Sequence, residues 1–336
     1  ASSPTTTSTT PSALSSELLS RRSPRGPARG LFHGRLSQTP PGEASGSQRD
    51  GSIGFHTKIH PRAMPTAGDT NGAPISEAEA LARLRQTGDQ SLQYYAAWWL
   101  GRMRSRHPET LPLLRSALAQ RQPREPAAGV EHNAVARNAA RALGKLGDPA
   151  AIPDLLAVLE DEDDGLREAA ARALGELHAL DAVLPLCRRL ASGPEGAGAA
   201  RSDSPRLQEP CEAMLEALGD IGHVTPEVLA VIEPFSGHER PLIRSAACRA
   251  LLQLTGEACW AEELLGLLEH PQLQVRRAAV MDLGAVGWRP ALEPICRTHA
   301  ENSLKLIALR GLVENGTSHQ ALAHHETVLA AMDALL

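Results

Sequence analysis

The sequence predicts an all-α protein in which helical repeats stack side by side as a solenoid. A nine-residue pattern that begins with residues 92–100 returns six times, and every copy ends in leucine. The closing leucines lie 29 to 44 residues apart, a spacing typical of stacked helical units. Aromatic residues make up only 3% of the chain, while alanine and leucine, both strong helix formers, dominate its second half.

The nine-residue pattern places its apolar residues on one side of a helix. Counted from the first residue as step 0, steps 0, 4, 5 and 8 are apolar or small in most copies. A glycine-containing turn and a second helix follow, most clearly at residues 147–149. Each unit can bury its apolar face only against its neighbours, so we expect a right-handed array of about six to seven repeats. The copies are residues 92–100, 135–143, 166–174, 210–218, 243–251, 275–283 and 304–312.

The first segment, residues 1–75, is expected to be disordered, because it is rich in Ser, Thr, Pro, Gly and Arg and has no apolar periodicity. Its Ser- and Arg-rich, acid-poor composition is also that of an organelle transit peptide. Alternatively, residues 1–63 precede the native start, because Met64 is the first methionine of the chain. The sequence favours this second interpretation, and a genuine tail is the third.

Residues 76–316 are expected to form the solenoid, and residues 317–336 a C-terminal helix that caps it. Ser76 and Glu79 predict the first helix, because Ser-x-x-Glu before an apolar run is a capping box. Two inserts lengthen the array. Inserts of this kind form surface loops on solenoids, and the sequence leaves open whether they bind a partner or are passive. The inserts are residues 122–133 and 193–209.

Charge and motifs exclude several functional classes. The net charge is −5, and residues 1–63 contribute +5 from eight basic and three acidic residues, so the remainder carries −10. An acidic body argues against nucleic acid as a partner. No apolar run approaches the roughly 20 residues that span a membrane, which argues against a membrane partner. No phosphate loop or hydrolase motif occurs, and His319, His324 and His325 lack the spacing of a metal pair, so we predict no metal site.

The cysteines are scattered and odd in number, and none forms a Cys-x-x-Cys pair. This pattern predicts free, buried thiols in a reducing compartment. The five are Cys187, Cys211, Cys248, Cys259 and Cys296.

Steps 2 and 6 of the pattern lie one helical turn apart, on the side opposite the apolar face. Step 6 is arginine in four of the seven copies, and step 2 adds Arg137. If these helices line the inner side of the solenoid, the arginines suit an anionic ligand, because guanidinium groups grip carboxylates in bidentate fashion. Alternatively, they are solvated and pair along their own helix, as Glu168 and Arg172 can. The candidate binding residues are Arg137, Arg141, Arg172 and Arg249.

The first copy contains both tyrosines of the chain and two of its four tryptophans. Steps 2, 3, 6 and 7 are all aromatic, so one helix cannot bury all four against its partner. The sequence favours a ligand or partner surface on which flat rings stack. The alternative is a terminal repeat whose aromatic residues cover the end of the stack. These candidate residues are Tyr94, Tyr95, Trp98 and Trp99.

Several stretches are more specific than a generic helical repeat. Together they resemble the phycobilisome-lyase family of HEAT-like repeat proteins, and most of all its E-type subunits. The resemblance covers residues 76–315, and the tyrosine-tryptophan and Glu-Asn-Ser-Leu-Lys stretches are its most specific parts. The stretches are YYAAWWLG at 94–101, RNAARALGKLGD at 137–148, REAAARAL at 167–174, EAMLEALG at 212–219, IEPF at 232–235 and ENSLKLIALRGL at 301–312.

The resemblance implies a lyase that works as a heterodimer with a homologous F-type subunit. Such a pair attaches an open-chain tetrapyrrole, here phycocyanobilin, to a cysteine of the phycocyanin α subunit through a thioether. The cysteine adds across the ethylidene group of ring A. The bilin is then the substrate, and no other cofactor is expected. The family implies a cytoplasmic protein, or one of the plastid stroma if residues 1–63 are a transit peptide.

The chain departs from the family pattern at two places. Residues 123–133 replace a link that contains Gly-Gly-Tyr, and Cys211 stands where an aromatic residue is common. The bilin and its acceptor are therefore open, and a lyase or lyase-isomerase for another bilin, such as that of phycoerythrin, is an alternative. A second alternative is a non-catalytic scaffold or chaperone for phycobiliprotein assembly, because the sequence contains no self-contained catalytic constellation.

Overall fold

A computed structural model describes residues 75–123, 132–202, 204–315 and 321–336. The predicted disorder of residues 1–75 lies outside the described residues except at Ile75, which packs against the core. Most of the first insert also lies outside the described residues. No described helix is long and apolar enough to cross a membrane.

The described chain forms two rows of helices, which confirms the predicted all-α HEAT-like solenoid. All seven copies of the nine-residue pattern fall on one row, and its helices pack in sequence order, each against the next. This first row contains α2 (Gln90–Arg102), α4 (Ala134–Leu146), α6 (Asp164–Glu176), α9 (Cys211–Ile221), α11 (Pro241–Thr255), α13 (Leu273–Val286) and α15 (Asn302–Glu314). The second row contains α1 (Glu77–Arg85), α3 (Thr110–Ala119), α5 (Ile152–Val158), α7 (Val183–Leu190), α10 (Pro226–Ile232), α12 (Ala258–Leu267), α14 (Leu292–Arg297) and α16 (Ala321–Asp333).

Helix ends follow the predicted signals with one difference. Gly147 ends α4 in the left-handed conformation, with φ of 73°, and Asp148 then caps a short 3-10 helix that leads into α5. Ser76 caps α1 by accepting a hydrogen bond from the backbone N–H of Glu79 at 3.2 Å. The Glu79 carboxylate, however, does not complete the capping box, because it pairs with Arg83 one turn further along the helix. The 3-10 helices are Pro149–Ala151, Leu180–Ala182, Glu233–Gly237 and Arg289–Ala291.

The interior of the first row follows the predicted pattern. Steps 4, 5 and 8 are buried in every copy, with relative exposures of 0% or 1%. Step 0 is less regular, because Leu92 is 36% exposed. Alternation of small and large side chains at these steps lets neighbouring helices interdigitate.

Glycine at step 9 lets the first-row helices touch. A Cβ atom built on Gly101 would lie 2.7 Å from the Cα atom of Ala142, and one built on Gly144 would lie 2.7 Å from the Cα atom of Ala173. Carbon atoms do not approach so closely, so a residue with a side chain would force the helices apart. We call the series the glycine ladder. Its members are Gly101, Gly144, Gly175, Gly219 and Gly284.

The glycine ladder is interrupted between α11 and α13. Leu252 takes step 9 of α11, and Asp282 takes the step of α13 that is alanine in the four preceding copies. The buried apolar residues divide into two clusters at this junction. Asp282 is only 5% exposed, and it accepts a hydrogen bond from the Ser245 hydroxyl at 2.5 Å. A buried hydrogen bond between α11 and α13 thus joins the two parts of the array where the glycine ladder is interrupted.

Basic residues at step 1 bind backbone carbonyl groups near the ends of second-row helices. Arg167 donates to the carbonyl oxygens of Asp161 and Glu162 at 2.8 and 3.1 Å. Lys305 donates to that of Cys296 at 2.8 Å. Carbonyl groups at helix C-termini lack partners within the helix, so these buried cations stabilise the connections between the rows.

The second insert folds against the array as a short helix and an antiparallel hairpin. Arg206 of the hairpin donates to the Asp164 carboxylate at 3.0 Å. Glu209, which follows the hairpin, accepts from Arg167 at 2.9 Å. The insert therefore packs against the start of α6. Its elements are α8 (Gly193–Gly196), β1 (Ala200–Arg201) and β2 (Ser204–Leu207).

Candidate functional site

The side of the first row that points away from the second row carries steps 2, 6 and 10 of each copy, step 10 being one turn beyond step 6. The first-row helices touch along the glycine ladder, whereas the second-row helices make few close approaches to one another. The stack therefore curves towards the first row, and these three steps lie on its inner side. We call this surface the first-row face.

The first-row face begins with two exposed aromatic rings on α2. Tyr95 and Trp98 are 51% and 49% exposed, whereas Tyr94 and Trp99 are half-buried against the core. The rings of Tyr94 and Tyr95 meet edge to face, with centroids 5.6 Å apart and planes at 86°. Four aromatic residues are thus not all buried by one helix, as predicted. From the step pattern, Tyr94 at step 2 and Trp98 at step 6 are expected to be the exposed pair. In the structure the exposed pair is Tyr95 and Trp98.

The four candidate arginines differ in their partners. Arg141 is exposed on α4, and no described carboxylate lies within ion-pair distance of it. Arg137 is half-buried and pairs with Asp163 at 3.1 Å. Arg172 and Arg249 belong to a network of carboxylates, so they do not form a uniform basic row with the others. Their role in ligand binding stays a prediction. The carboxylates are Glu168, Glu212, Glu216, Asp220 and Asp282.

The centre of the first-row face holds a carboxyl group that titrates near neutral pH. The guanidinium group of Arg172 lies 3.4 Å from the carboxylate of Glu212 and also contacts Glu168 and Glu216. Three carboxylates therefore share one cation. Burial is the main cause that raises the pKa of Glu212 to about 7, and repulsion from Glu216 adds to it. The attraction of Arg172 opposes this rise in pKa. At neutral pH, Glu212 can hold a proton or release it.

A second perturbed carboxyl group lies deeper, at the junction of α11 and α13. Burial raises the pKa of Asp282 to about 6, while the attraction of Arg249 opposes this shift. The Arg249 guanidinium nitrogens lie 3.6 Å from Asp282 and 2.6 Å from Asp220. These contacts tie α9, α11 and α13 together.

The first-row face is divided by charge. At steps 2, 6 and 10, α2 and α4 carry only basic charges, whereas α6 and α9 are predominantly acidic. The basic residues are Arg102, Arg137, Arg141 and Lys145. At the same steps, the charged residues of α6 and α9 are Glu168, Arg172, Glu176, Glu212, Glu216 and Asp220. Sequence reasoning missed Arg102 and Lys145, which one further turn beyond step 6 would have identified. It had no means to single out Glu212, because its pKa depends on neighbouring helices.

Within the described residues, no group of three or more His, Cys, Asp or Glu side chains is arranged to hold a metal ion. All five cysteines are free. Cys211 and Cys248 are buried, and burial raises the pKa of each thiol to about 12. Cys259 is exposed at the start of α12, so the prediction of buried thiols is wrong for this residue. A raised pKa makes the Cys211 and Cys248 thiols poor nucleophiles at neutral pH.

Two models of known protein families match parts of this chain. The family model for the PBS lyase HEAT-like repeat matches residues 92–120 and 275–297. A second model, for HEAT repeats, matches residues 126–202. The first of these matches contains the aromatic residues of α2.

Similar proteins match nearly over their full length. The bilin biosynthesis protein RpcE of Synechococcus sp. (strain WH8020) is 50% identical over 263 residues, which cover 78% of this chain and 96% of the relative. A phycocyanobilin lyase subunit alpha of Synechococcus elongatus is 45% identical over 276 residues, which cover 81% of this chain and 98% of the relative.

A solved structure is also similar. It is the complex of CpcE and CpcF of phycocyanin lyase from Nostoc sp. PCC7120. The match has a TM-score of 0.71 and 39% sequence identity, and it covers 82% of this chain and 100% of that chain. The fold, the aromatic stretch of α2 and the relatives that match over nearly their full length all indicate the same family. The chain therefore belongs to the phycobilisome-lyase HEAT-like family, among the phycocyanobilin lyase alpha subunits.

Proposed function

We propose that this protein is the E-type subunit of a heterodimeric bilin lyase. The enzyme attaches phycocyanobilin through a thioether to a cysteine of the phycocyanin α subunit. The observation that carries the proposal is the match to a chain in the complex of CpcE and CpcF of phycocyanin lyase. This match covers the whole of that chain and 82% of the present one. The F-type subunit and the acceptor protein are the partners, and the open-chain tetrapyrrole is the substrate.

The bilin lies on the first-row face. Its conjugated rings stack on Tyr95 and Trp98, whose flat surfaces are half exposed. Tyr94 and Trp99 support these two rings from the core side. The polar edge of the bilin faces the candidate arginines of α4, which are Arg137 and Arg141. The other two candidates, Arg172 and Arg249, contribute through the carboxylate network that they hold together. Holding the bilin extended and oriented is the main contribution of this chain to catalysis.

Glu212 supplies the proton in this proposal. The acceptor thiol loses its proton, its sulfur bonds to the ethylidene carbon of ring A, and ring A takes up a proton at the adjoining carbon. A general acid serves best when its pKa lies near the working pH. The pKa of Glu212, raised by burial to about 7, meets this condition, and the side chain keeps 42% of its surface exposed to a ligand.

The location and cofactor requirement complete the proposal. The chain works in the cytoplasm of a cyanobacterium, or in the plastid stroma if its first residues are a transit peptide. It needs no cofactor besides the bilin substrate, because thiol addition is redox-neutral and the proton is supplied by a side chain.

Co-expression tests the proposal. The protein is produced with a candidate F-type subunit, a phycocyanobilin pathway and the apo α subunit of phycocyanin. Covalent bilin is read as zinc-enhanced fluorescence of the α band on a denaturing gel. A coloured α subunit that requires both lyase chains supports the proposal. Colour no stronger than spontaneous attachment, with phycocyanin and phycoerythrin acceptors alike, contradicts it and favours a scaffold or chaperone.

The role of Glu212 has its own test with a matched control. Glu212→Gln removes the acid, and Glu168→Gln removes another carboxylate that contacts the same Arg172. Because the acid must be protonated, the attachment rate of the wild type should fall as the pH rises above about 7. Glu212→Gln should lower the rate roughly 100-fold and remove this pH dependence. Equal effects of the two substitutions would contradict the assignment.

A further inference from the structure

A cationic pocket opens next to the exposed aromatic rings, at the C-terminal ends of α2 and α4. Its volume is about 380 Å³. Arg102, Arg104 and Lys145 line it, and none of the three has a carboxylate within ion-pair distance among the described residues. Glu176 contributes one carboxylate, which interacts with Lys145 and Arg104 from beyond that distance. The lining therefore carries a net charge of +2.

Arg104 occupies a strained backbone position. Its φ of 49° lies in the left-handed region, which disfavours residues with a Cβ atom. The same position after α4 and α9 is Gly147 and Gly222. His178 is the other exception, and its ring nitrogen lies 2.6 Å from the carbonyl oxygen of Asp220. The left-handed conformation of Arg104 ends α2, because the backbone N–H groups of Arg104 and Ser105 donate to the carbonyl oxygens of Gly101 and Leu100 at 3.1 and 3.0 Å. Glycine would serve this purpose without strain, so the strain points to a contribution from the arginine side chain.

The pocket continues the surface formed by the aromatic rings. Arg102 lies one helical turn beyond Trp98 on α2, and Lys145 lies one turn beyond Arg141 on α4. Side groups of a ligand stacked on Trp98 therefore extend over the pocket. An open-chain tetrapyrrole carries two propionate groups on its two middle rings. Their two negative charges match the net charge of the lining, and Arg and Lys both bind carboxylates.

We propose that this pocket binds the two propionate groups of the bilin and thereby sets the direction in which the tetrapyrrole lies on the first-row face. The inference rests on the proposed function and goes beyond it, because it assigns a subsite. Once the middle rings are held, the position of ring A is fixed relative to the acceptor cysteine. The three cations act as positioning residues.

The test compares phycocyanobilin with its dimethyl ester, in which both propionates are neutral. Affinities of the purified heterodimer for the two compounds are measured by absorbance titration. The wild type should bind the diacid about 10-fold more tightly, since charge-assisted contacts are modest at an open site. Arg102→Gln/Lys145→Gln should abolish this preference. The control is Arg188→Gln/Arg297→Gln, which removes two exposed arginines from the second row and should retain it.

A pocket variant that keeps the wild-type preference overturns the inference, while binding and attachment of the bilin would still support the proposed function. A wild type that binds both compounds equally also overturns it. If the wild type binds neither compound and attaches no bilin, the proposed function itself fails, and the inference fails with it. The three results are distinct.

Arg104→Gly separates binding from packing. Glycine relieves the left-handed strain, so the unfolding temperature should rise by about 2–5 °C. The same variant should lose most of the preference for the diacid over the ester. A stabilised protein with an unchanged preference excludes Arg104 from the pocket's function. A destabilised protein shows that the arginine is structural, which overturns its role as a positioning residue.

Discussion

Gly284→Ala is expected to destabilise the solenoid, although alanine is the better helix former. A Cβ atom built on Gly284 lies 2.6 Å from the Cα atom of Ala308 and 2.8 Å from its carbonyl oxygen. Both are backbone atoms of α15, so no flexible side chain can move aside. Because carbon contacts are favourable only at about 3.5–4.0 Å, α13 and α15 must separate by roughly 1 Å.

The expected loss follows from two opposing effects. Overpacking of a close interface costs about 1–3 kcal/mol, and replacing glycine by alanine inside a helix returns about 1 kcal/mol. Because both close atoms belong to the backbone, the upper part of this range, about 2–3 kcal/mol, applies. The net loss of about 1–2 kcal/mol should lower the unfolding temperature by roughly 3–6 °C in a unit of this size. Thermal and urea unfolding followed by far-UV circular dichroism measure it.

Gly266→Ala is the matched control. Gly266 lies in α12, and no heavy atom falls within 4 Å of a Cβ atom built on it. The same substitution should there increase the free energy of unfolding by about 0.5–1 kcal/mol. A Gly284→Ala protein as stable as the wild type would refute the steric argument. A destabilised Gly266→Ala protein would show that the comparison measures something other than the added methyl group.

Three further predictions concern the site and its surroundings. Trp98→Ala and Tyr95→Ala should each lower bilin transfer at least about tenfold with unchanged helicity by circular dichroism, because both rings are about half exposed; a loss of helicity would favour an end-capping role. Burial raises the pKa of Asp282 to about 6, so the native state binds the proton more tightly than the unfolded chain. The unfolding free energy of the wild type relative to Asp282→Asn should therefore fall by about 1–3 kcal/mol between pH 4 and 6.5, and a flat difference would contradict this. Maleimide should label Cys259 first and Cys211 only on unfolding, as mass spectrometry would show, because only the former is exposed.

The stacking of the first row could be predicted from sequence because its determinants are local. Steps 4, 5 and 8 recur at helical spacing within each copy, so one copy shows which side is buried. The glycine at step 9 is visible in the same way, since it follows the closing leucine in most copies. Even the break in the ladder is visible as Leu252, although its consequence requires the structure.

The site could be predicted only in part, because the partners of each side chain come from other units. Along its own helix, Arg172 looks like a partner of Glu168, yet it also contacts Glu212 and Glu216, which lie 40 and 44 residues away. The periodicity shows that an arginine points to the inner side. It does not show which carboxylates the next helix brings to that arginine, and this decides whether the guanidinium group is free to bind a ligand.

The nine-residue pattern separates stacking from binding. Steps 4, 5, 8 and 9 are constrained by packing, as the close approach of Gly144 at step 9 to Ala173 of the next helix shows. Steps 2, 6 and 10 lie on the inner side, where exposed residues such as Trp98 and Arg141 have more freedom to vary. That freedom permits a basic end beside Trp98 and an acidic centre around Glu212 on one continuous surface. A bilin presents two carboxylates and four ring nitrogens, so it can be read by such a surface in only one orientation. Reversing the charge at both Lys145 and Glu212 should therefore lower the attachment rate more than either single change does, because no rotated pose restores both contacts.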